Sequence, residues 1–399
     1  MRIRTPLIAL LLALAASACG PAAKPRLPAA QGAGQSSSAT VPDGAAFVAD
    51  NSLVVGSQTY RLAATAGAPL IGSLAPLAVA SADGSRYVYN SWAQGADEVC
   101  SGDPSQRGNC TEPAADAIYG RPTLRVFTPA DGKDVVVQVG AVSAALRADG
   151  ALAYFKGVTN DAPADAARFS GHLYVRDSIG ADPVQWTTAE ARYVAVGWAG
   201  ATLIAYRHFE AERFDVIGLS GPGAARTLAA DATVVAISPD GAQLVVNRDA
   251  DGTSTVSVID ASDGRQLSAL NLATTTDPAS GSAVGWATYG GSWDGDLVAA
   301  ESTDGVSLFR VKSGKIAFDR MLLRKGSDYP MGIHEPHLFR GKSGRVDLVA
   351  WAPVNAPTEH GRAEAVITCD VAGKSCKRTG TRNERSVGIA RSNGHGRAR

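Results

Sequence analysis

The side chains able to do chemistry here are five cysteines, six histidines and carboxylates scattered through turn-like stretches. Cys100 and Cys110 flank the polar run SGDPSQRGN, and Cys369 and Cys376 flank DVAGKS, which reads as a hairpin turn. Their spacings of ten and seven are wider than the two to four residues between structural zinc ligands. Two short-range disulfides, Cys100 with Cys110 and Cys369 with Cys376, are therefore the expected pairing. Each closes a small loop, which stabilises by roughly 2.5–3 kcal/mol in the chain-entropy treatment. His334, Glu335, His337, Glu359 and His360 come from two nearby stretches, and three such nitrogen or oxygen ligands would suit a metal. Pro336 restricts how His334 and His337 converge, and polar loop residues account for the set, so no metal and no cofactor is assigned. Asp249-x-Asp251-Gly252-Thr253-Ser254 starts like a calcium loop but lacks the third oxygen ligand and the distal Glu; a hairpin turn explains it. No GxSxG stands in an elbow context, and the paired acids suit turns. No catalytic residue is assigned. Trp92, Trp186, Trp198, Trp286, Trp293 and Trp351 recur near strand ends, where packing outranks a sugar platform.

The compartment is set by the opening residues, MRIRTPLIALLLALAASACG. Arg2 and Arg4 give a positive start, and Leu7 to Ala16 is apolar. The stretch is too short to span about 30 Å of hydrocarbon as a mature helix, so 1–18 is expected to be a secretory signal. Ala16-Ser17-Ala18-Cys19 resembles the lipobox of bacterial lipoproteins. That resemblance implies cleavage before Cys19 and a diacylglycerol on its thiol. Two or more chains make a stable anchor where one is marginal, so the protein is expected on a bacterial membrane, at the outer membrane or cell surface. Residues 19–43 continue GPAAKPRLPAAQGAGQSSSATVPD after the cysteine, without an aromatic or an apolar period. They cannot bury enough surface to offset ordering entropy and read as a flexible tether. An exported location also favours oxidation of the remaining four cysteines.

Lys and Arg number 38 against 38 Asp and Glu, in 399 residues. That balance argues against nucleic acid as a partner. Charged residues are 19%, apolar residues 45%, and glycines number 43, which excludes a coiled coil, a collagen and a wholly disordered chain.

Residues 44–399 repeat. An apolar strand ending in a glycine turn recurs as PLAVASADG (76–84), AVSAALRADG (141–150), YVAVGWAG (193–200), VVAISPDG (234–241), AVGWATYGGSWDG (283–295), PHLFRGKSG (336–344) and SVGIARSNG (386–394). The terminal glycines are spaced by 66, 50, 41, 54, 49 and 50 residues, the first interval holding the Cys100–Cys110 loop as an insertion. The copy at 234 shows the unit. Val234–Ile237 is one strand, Ser238-Pro239-Asp240-Gly241 a tight turn, Leu244–Val246 the next strand, Val256–Ile259 the third and Leu267–Leu270 the fourth. Four short antiparallel strands every forty to fifty residues define a β-propeller blade. No window of the body has helical periodicity.

SPDG at 238–241 is similar to WD40 and TolB repeats, and Val258-Ile259-Asp260-Ala261-Ser262-Asp263-Gly264-Arg265 resembles the quinoprotein-like repeats of BamB-type lipoproteins. The fold expected is an all-β, seven-bladed propeller in which strands from both termini share one blade, because closure removes two exposed edges; a six-bladed ring with a loose C-terminus is the alternative. The stretch from Lys374, with eight basic residues against Glu384 alone, reads as a solvated basic tail. First-to-second and third-to-fourth turns share one face of a propeller; the other connections share the opposite face. The first set is tight, as at Asp83-Gly84, Asp149-Gly150 and Asp263-Gly264, whereas 91–122, 156–171, 247–254, 272–282, 324–335 and 353–363 are long. Function is expected on the long-loop face. The activity expected is a protein-binding or scaffold module, its partners the membrane through the anchor and another envelope protein. A hydrolase or lyase using the long-loop face is the alternative.

Overall fold

A computed structural model describes residues 45–49, 52–63, 78–81, 84–91, 123–157, 171–208, 214–250, 253–282, 284, 287–326, 332–341, 343–353, 364–373, 375–382, 388–389 and 391–392. Cys19, the signal and tether stretches, and the Cys100–Cys110 pair lie outside them. The described residues form seven sheets, antiparallel but for one short parallel pair, and one short 3-10 turn, Leu272–Thr274.

From the inside outward, blade 1 is Ala78–Ala80, Tyr87–Ser91, Thr123–Thr128 and Lys133–Val139. Blade 2 is Ala141–Leu146, Leu152–Gly157, Gly171–Arg176 and Val184–Gln185; blade 3 is Arg192–Ala199, Thr202–His208, Phe214–Leu219 and Ala225–Ala229. Blade 4 is Thr233–Ile237, Gln243–Ala250, Thr253–Asp260 and Gln266–Asn271; blade 5 is Ala287–Asp294, Leu297–Ser302, Gly305–Lys312 and Lys315–Arg324. Blade 6 is His334–Arg340, Val346–Pro353, Glu364–Asp370 and Ser375–Arg382. Blade 7 is made from both ends of the chain: Gly388–Ile389 is its innermost strand, followed by Ala46–Ala49, Ser52–Val55 and Gln58–Arg61. The ring is therefore a seven-bladed propeller with a shared blade, and the six-bladed alternative is set aside. The chain end does more than close blade 7. Arg391–Ser392 adds in parallel to Ala78–Ala80 of blade 1, with Arg391 opposite Val79 and Ser392 opposite Ala80.

The ring is held by the contacts between blades. Seven apolar clusters fill the seven interfaces, running from Val79, Leu146 and Tyr154 between blades 1 and 2 round to Val48, Leu53, Ala78 and Tyr89 between blades 7 and 1. The second strands are apolar on both faces because each is sandwiched between neighbouring blades: Leu203, Ile204 and Ala205, or Leu244, Val245 and Val246, are fully buried. Polar stitches supplement this packing. Trp198 Nε1 donates to Ala145 O at 3.1 Å, and the Tyr206 hydroxyl accepts from Val234 N at 2.7 Å. Ser292 Oγ accepts from Leu338 N at 2.6 Å, and Ser268 Oγ donates to Gly314 O at 2.7 Å. Trp198 and Trp293 are buried in these interfaces, and Trp351 packs beside Phe47 and Phe339, as core roles require.

The turn chemistry repeats with the blades. Gly84, Gly150, Gly241 and Gly344 each donate a backbone N–H to the carbonyl three residues earlier, on Ser81, Arg147, Ser238 and Gly341. Position four of such a turn favours glycine. Gly241 needs it twice over: its φ is +71°, and a Cβ there would lie 2.3 Å from the Gly200 nitrogen of the adjacent turn.

Two sequence expectations need correction. Residues 247–254 are not a loop: Gln243–Ala250 and Thr253–Asp260 pair through Ala250 opposite Thr253. Asn247 is buried, donating to Asp249 and accepting from the Ser254 hydroxyl at 2.8 Å, which carries the hairpin to its tip. The basic stretch is not a tail over its first part. Ser375–Arg382 is the outermost strand of blade 6, paired along Glu364–Asp370. Cys369 and Cys376 stand opposite each other in that pair, and the fold admits a disulfide between them.

Candidate functional site

Strand order assigns every connection to a face. The stretches 62–77, 92–122, 158–170, 272–286, 325–333, 354–363 and 383–387 each join a second strand to a third, or one blade to the next, so their flanking strand ends share one face. The opposite face carries short turns, of which 177–183 is the longest.

On the long-loop face, where blades 5 and 6 meet, the structure gathers Glu301, His334, Glu335 and Trp351. Glu301 is the penultimate residue of the second strand of blade 5, and His334 opens the innermost strand of blade 6. His334 Nδ1 lies 2.9 Å from Glu301 Oε1. A carboxylate can only accept, so Nδ1 carries the proton and Nε2 is the basic nitrogen. The other Glu301 oxygen accepts from the Glu335 backbone N–H at 3.2 Å. Glu335 sits in the left-handed region, φ +50°, at a bulge that shifts the pairing between His334 and His337. Trp351 backs the imidazole, with ring centroids 4.6 Å apart. An imidazole oriented by a carboxylate and backed by an aromatic wall has the parts of a general base. Left-handed non-glycine backbone costs of order 1–3 kcal/mol and tends to mark functional positions.

His337 does not join this group; it is buried, with its ring 4.6 Å from Phe339. Pro336 and the bulge turn the two histidines into separate surroundings. Glu359 and His360 lie outside the described residues. Among the described residues, no three His, Cys, Asp or Glu side chains are gathered to hold a metal ion.

Acids in turns are held in their ionised form. Asp240 is lowered by the Ala242 N–H and the Ser238 hydroxyl, Asp149 by Arg147, and Asp370 by the Gly373 N–H. In blade 1, burial and a hydrogen bond to Asp134 push the Tyr89 hydroxyl well above its usual range. Tyr89 donates to Asp134 Oδ2 at 2.7 Å, and Arg125 Nε donates to Oδ1 at 3.0 Å, so Asp134 pins the outermost strand of blade 1 to its second and third strands.

Two features were missed from the sequence. Glu301 is one. The other is a strip of exposed valines on the rim: Val135, Val136 and Val139 in the outermost strand of blade 1, and Val184 in that of blade 2, each 44–50% exposed. They are the exposed large hydrophobic residues among those described. The available signal was the run KDVVVQV at 133–139, whose consecutive valines suit a strand buried on both faces.

Neither a protein-family model nor a curated protein matches the sequence. The solved structures it is similar to are of low identity. TolB from Agrobacterium tumefaciens is 19% identical over 69% of this chain and 92% of its own, with a TM-score of 0.43. The β-propeller domain of the Trilobed protease from Pyrococcus furiosus is 10% identical over 84% and 92%, with a TM-score of 0.46. TolB from Acinetobacter baumannii is 14% identical over 68% of this chain and 64% of its own, with a TM-score of 0.37. The blade assignment stands on strand pairing and not on these likenesses. No helix among the described residues is long and apolar enough to cross a membrane.

Proposed function

We propose that this chain is an exported propeller scaffold, tethered to a bacterial membrane through a lipidated Cys19, that binds another envelope protein. The observation that carries the binding role is the set of half-exposed valines on the rim, Val135, Val136, Val139 and Val184: exposed apolar surface on a closed scaffold is what an interaction site uses. It lies on the outer edge of blades 1 and 2, not on the long-loop face where the loop lengths had pointed. Disulfides at Cys369–Cys376 and Cys100–Cys110 belong to the same exported reading. Fractionation tests the tether. Cys19→Ala should move the protein from the membrane pellet to the soluble fraction; membrane association unchanged by the substitution would end the anchoring claim. Protein–protein cross-linking on intact cells tests the binding role, and absence of any cross-linked envelope protein would end it.

A second reading is favoured by the Glu301–His334 pair: a hydrolase or lyase on the long-loop face, with His334 as base and Glu301 as its positioning residue. Turnover of a chromogenic ester or glycoside should then fall on the order of 10²-fold in His334→Gln. Wild-type protein that turns over none of these substrates would remove the reading.

A further inference from the structure

Charge is unevenly shared around the ring. Residues 76–286, which hold blades 1–4, carry 15 Lys and Arg against 24 Asp and Glu. Residues 287–399, which hold blades 5 and 6 and the closing strands, carry 18 against 12. The whole chain has 38 of each, so its balance conceals two sectors of opposite sign. Such an asymmetry within one chain points to a charged partner surface.

The structure puts the cationic excess on the rim. Lys315 and Arg324 lie in the outermost strand of blade 5, Lys377 and Arg378 in that of blade 6, and Arg61 in that of blade 7, all exposed. Among the described residues, Lys315, Lys377 and Arg61 stand outside any ion pair, as do the exposed Lys312 and Lys325 of blade 5. Lys312 even stands directly opposite Lys315 across a hairpin, a like-charge pairing that costs stability. The acids of these blades are drawn in beside arginines: Asp296 and Asp319 pair with Arg310, Asp294 with Arg340 and Asp347 with Arg345. Asp304 is the one described acid there that is exposed and outside an ion pair. In blades 1–4 the signs reverse. Asp177, Asp182, Glu190, Asp231 and Asp249 are exposed and outside ion pairs, whereas the described cations in that condition are Arg86 and Arg226. Natural sheets also guard their edges with lysine, but that need applies to every blade. The outermost strands of blades 2 and 4, Val184–Gln185 and Gln266–Asn271, hold no cation.

We propose, resting on the tethered reading above, that blades 5–7 are a lipid-facing sector, which seats the ring edge-on against an anionic phospholipid surface. Each Lys or Arg near such a surface adds to the attraction, which fades within a Debye length of about 10 Å. The acidic blades 1–4 are repelled by the same surface and turn away from it. Blade 5 lies across the ring from the meeting of blades 1 and 2. The half-exposed valines of those two blades therefore face the aqueous side, where a protein partner reaches them. A second copy, offering its acidic blades to this basic sector, is the competing occupant. It fits less well, because a stable protein interface needs an apolar centre. Among the described residues, the exposed large hydrophobic side chains are those valines of blades 1 and 2, and none lies on blades 5–7. Dispersed cations on long stems, without an apolar centre, suit a layer of mobile headgroups.

The test uses the full chain as Cys19→Ala, so that no lipid of its own contributes, with vesicles of phosphatidylglycerol mixed into phosphatidylcholine. The chain should sediment with them at low ionic strength, release at about 0.5 M salt, and ignore pure phosphatidylcholine. Lys315→Gln and, independently, Lys377→Gln should each weaken partitioning about fivefold at undiminished melting temperature. Arg226→Gln removes the same charge from blade 3 and should leave partitioning unchanged. No binding to the anionic vesicles, or equal weakening by Arg226→Gln, would overturn the proposal. So would salt-sensitive oligomers in sedimentation velocity without vesicle binding, which would assign the sector to a second copy. Attraction without an anchor is weak and screened, so a wash at physiological salt still releases the Cys19→Ala chain in fractionation. The two readings therefore fail separately. An anchored wild type whose Cys19→Ala form ignores anionic vesicles keeps the tether and loses the sector. Vesicle binding by a chain that is never lipidated does the reverse.

Discussion

Truncation after Arg382 is expected to lower the melting temperature of the whole domain by several degrees, with a loss of roughly 2–4 kcal/mol at about 1 kcal/mol per net hydrogen bond. The deleted segment is short, but it is bound twice. Ile389 and Gly388 pair with Phe47 and Val48, and Arg391 and Ser392 pair with Val79 and Ala80. Phe47 packs in the cluster shared with blade 6, and Val48 in the cluster shared with blade 1. Removing the innermost strand of blade 7 therefore strips the backbone partners from residues that knit three blades together, and it opens the inner edge of blade 1 at the same time. Buried backbone groups left without partners cost more than the bonds themselves were worth. Truncation after Ser392 is the control, since it spares both pairings, and its melting curve should match the full chain. Hydrogen exchange should localise the damage, with protection lost first at Ala46–Ala49 and Ala78–Ala80. Equal melting of the two truncations would mean that the ring closes without its C-terminal strands.

The shared blade was legible because closure is a topological demand: pairing strands from the two ends of the repeating stretch removes two exposed edges. The turn glycines were legible because positive φ is a local requirement that one residue type meets cheaply. The Cys369–Cys376 hairpin was legible for the same local reason. What failed was non-local. Glu301 reads as a stray acid in LVAAES, and its partner His334 lies 33 residues on, in another blade. Asp249 and Gly252 signal a loop, yet Asn247 and Ser254 satisfy each other across the strands and carry the ladder through. Eight basic residues suggested a tail, but backbone pairing with Glu364–Asp370 does not depend on side-chain charge. The valine run KDVVVQV carries no sign of exposure, because β-branched residues in succession are usually buried. Here the strand is outermost, and nothing described packs outward of it. In a radial fold, position from the axis decides burial as much as hydrophobic pattern does, and that position is set by contacts between distant segments.

Asp277 illustrates the same dependence and gives the second large effect. It sits in the connection from blade 4 to blade 5, and its side chain is buried. Burial alone would push its pKa up, but hydrogen bonds from the Ser280 hydroxyl, at 3.0 Å, from Arg324 and from the Ala279 N–H outweigh that and hold the group below the usual carboxylate range. Arg324 ends the outermost strand of blade 5, so this one carboxylate fastens the connection to the blade it leads into. Asp277→Ala leaves those donors facing an apolar group and should cost about 2–3 kcal/mol, the range for stranding buried polar partners. The partial exposure of Arg324 keeps the figure below that of a fully buried pair. The pH dependence has a definite sign. A folded pKa below the unfolded value near 3.9 means the unfolded chain binds more protons in that interval, so stability rises with pH there. The contribution of Asp277 is complete above about pH 4 and is lost as pH falls through its folded pKa. Asp277→Asn keeps the shape but not the charge. Its melting temperature should lie below wild type at pH 7, and the gap should narrow as both are acidified below about pH 4. A gap that stayed constant from pH 7 to pH 2.5 would show that the carboxylate fastens this connection by shape alone.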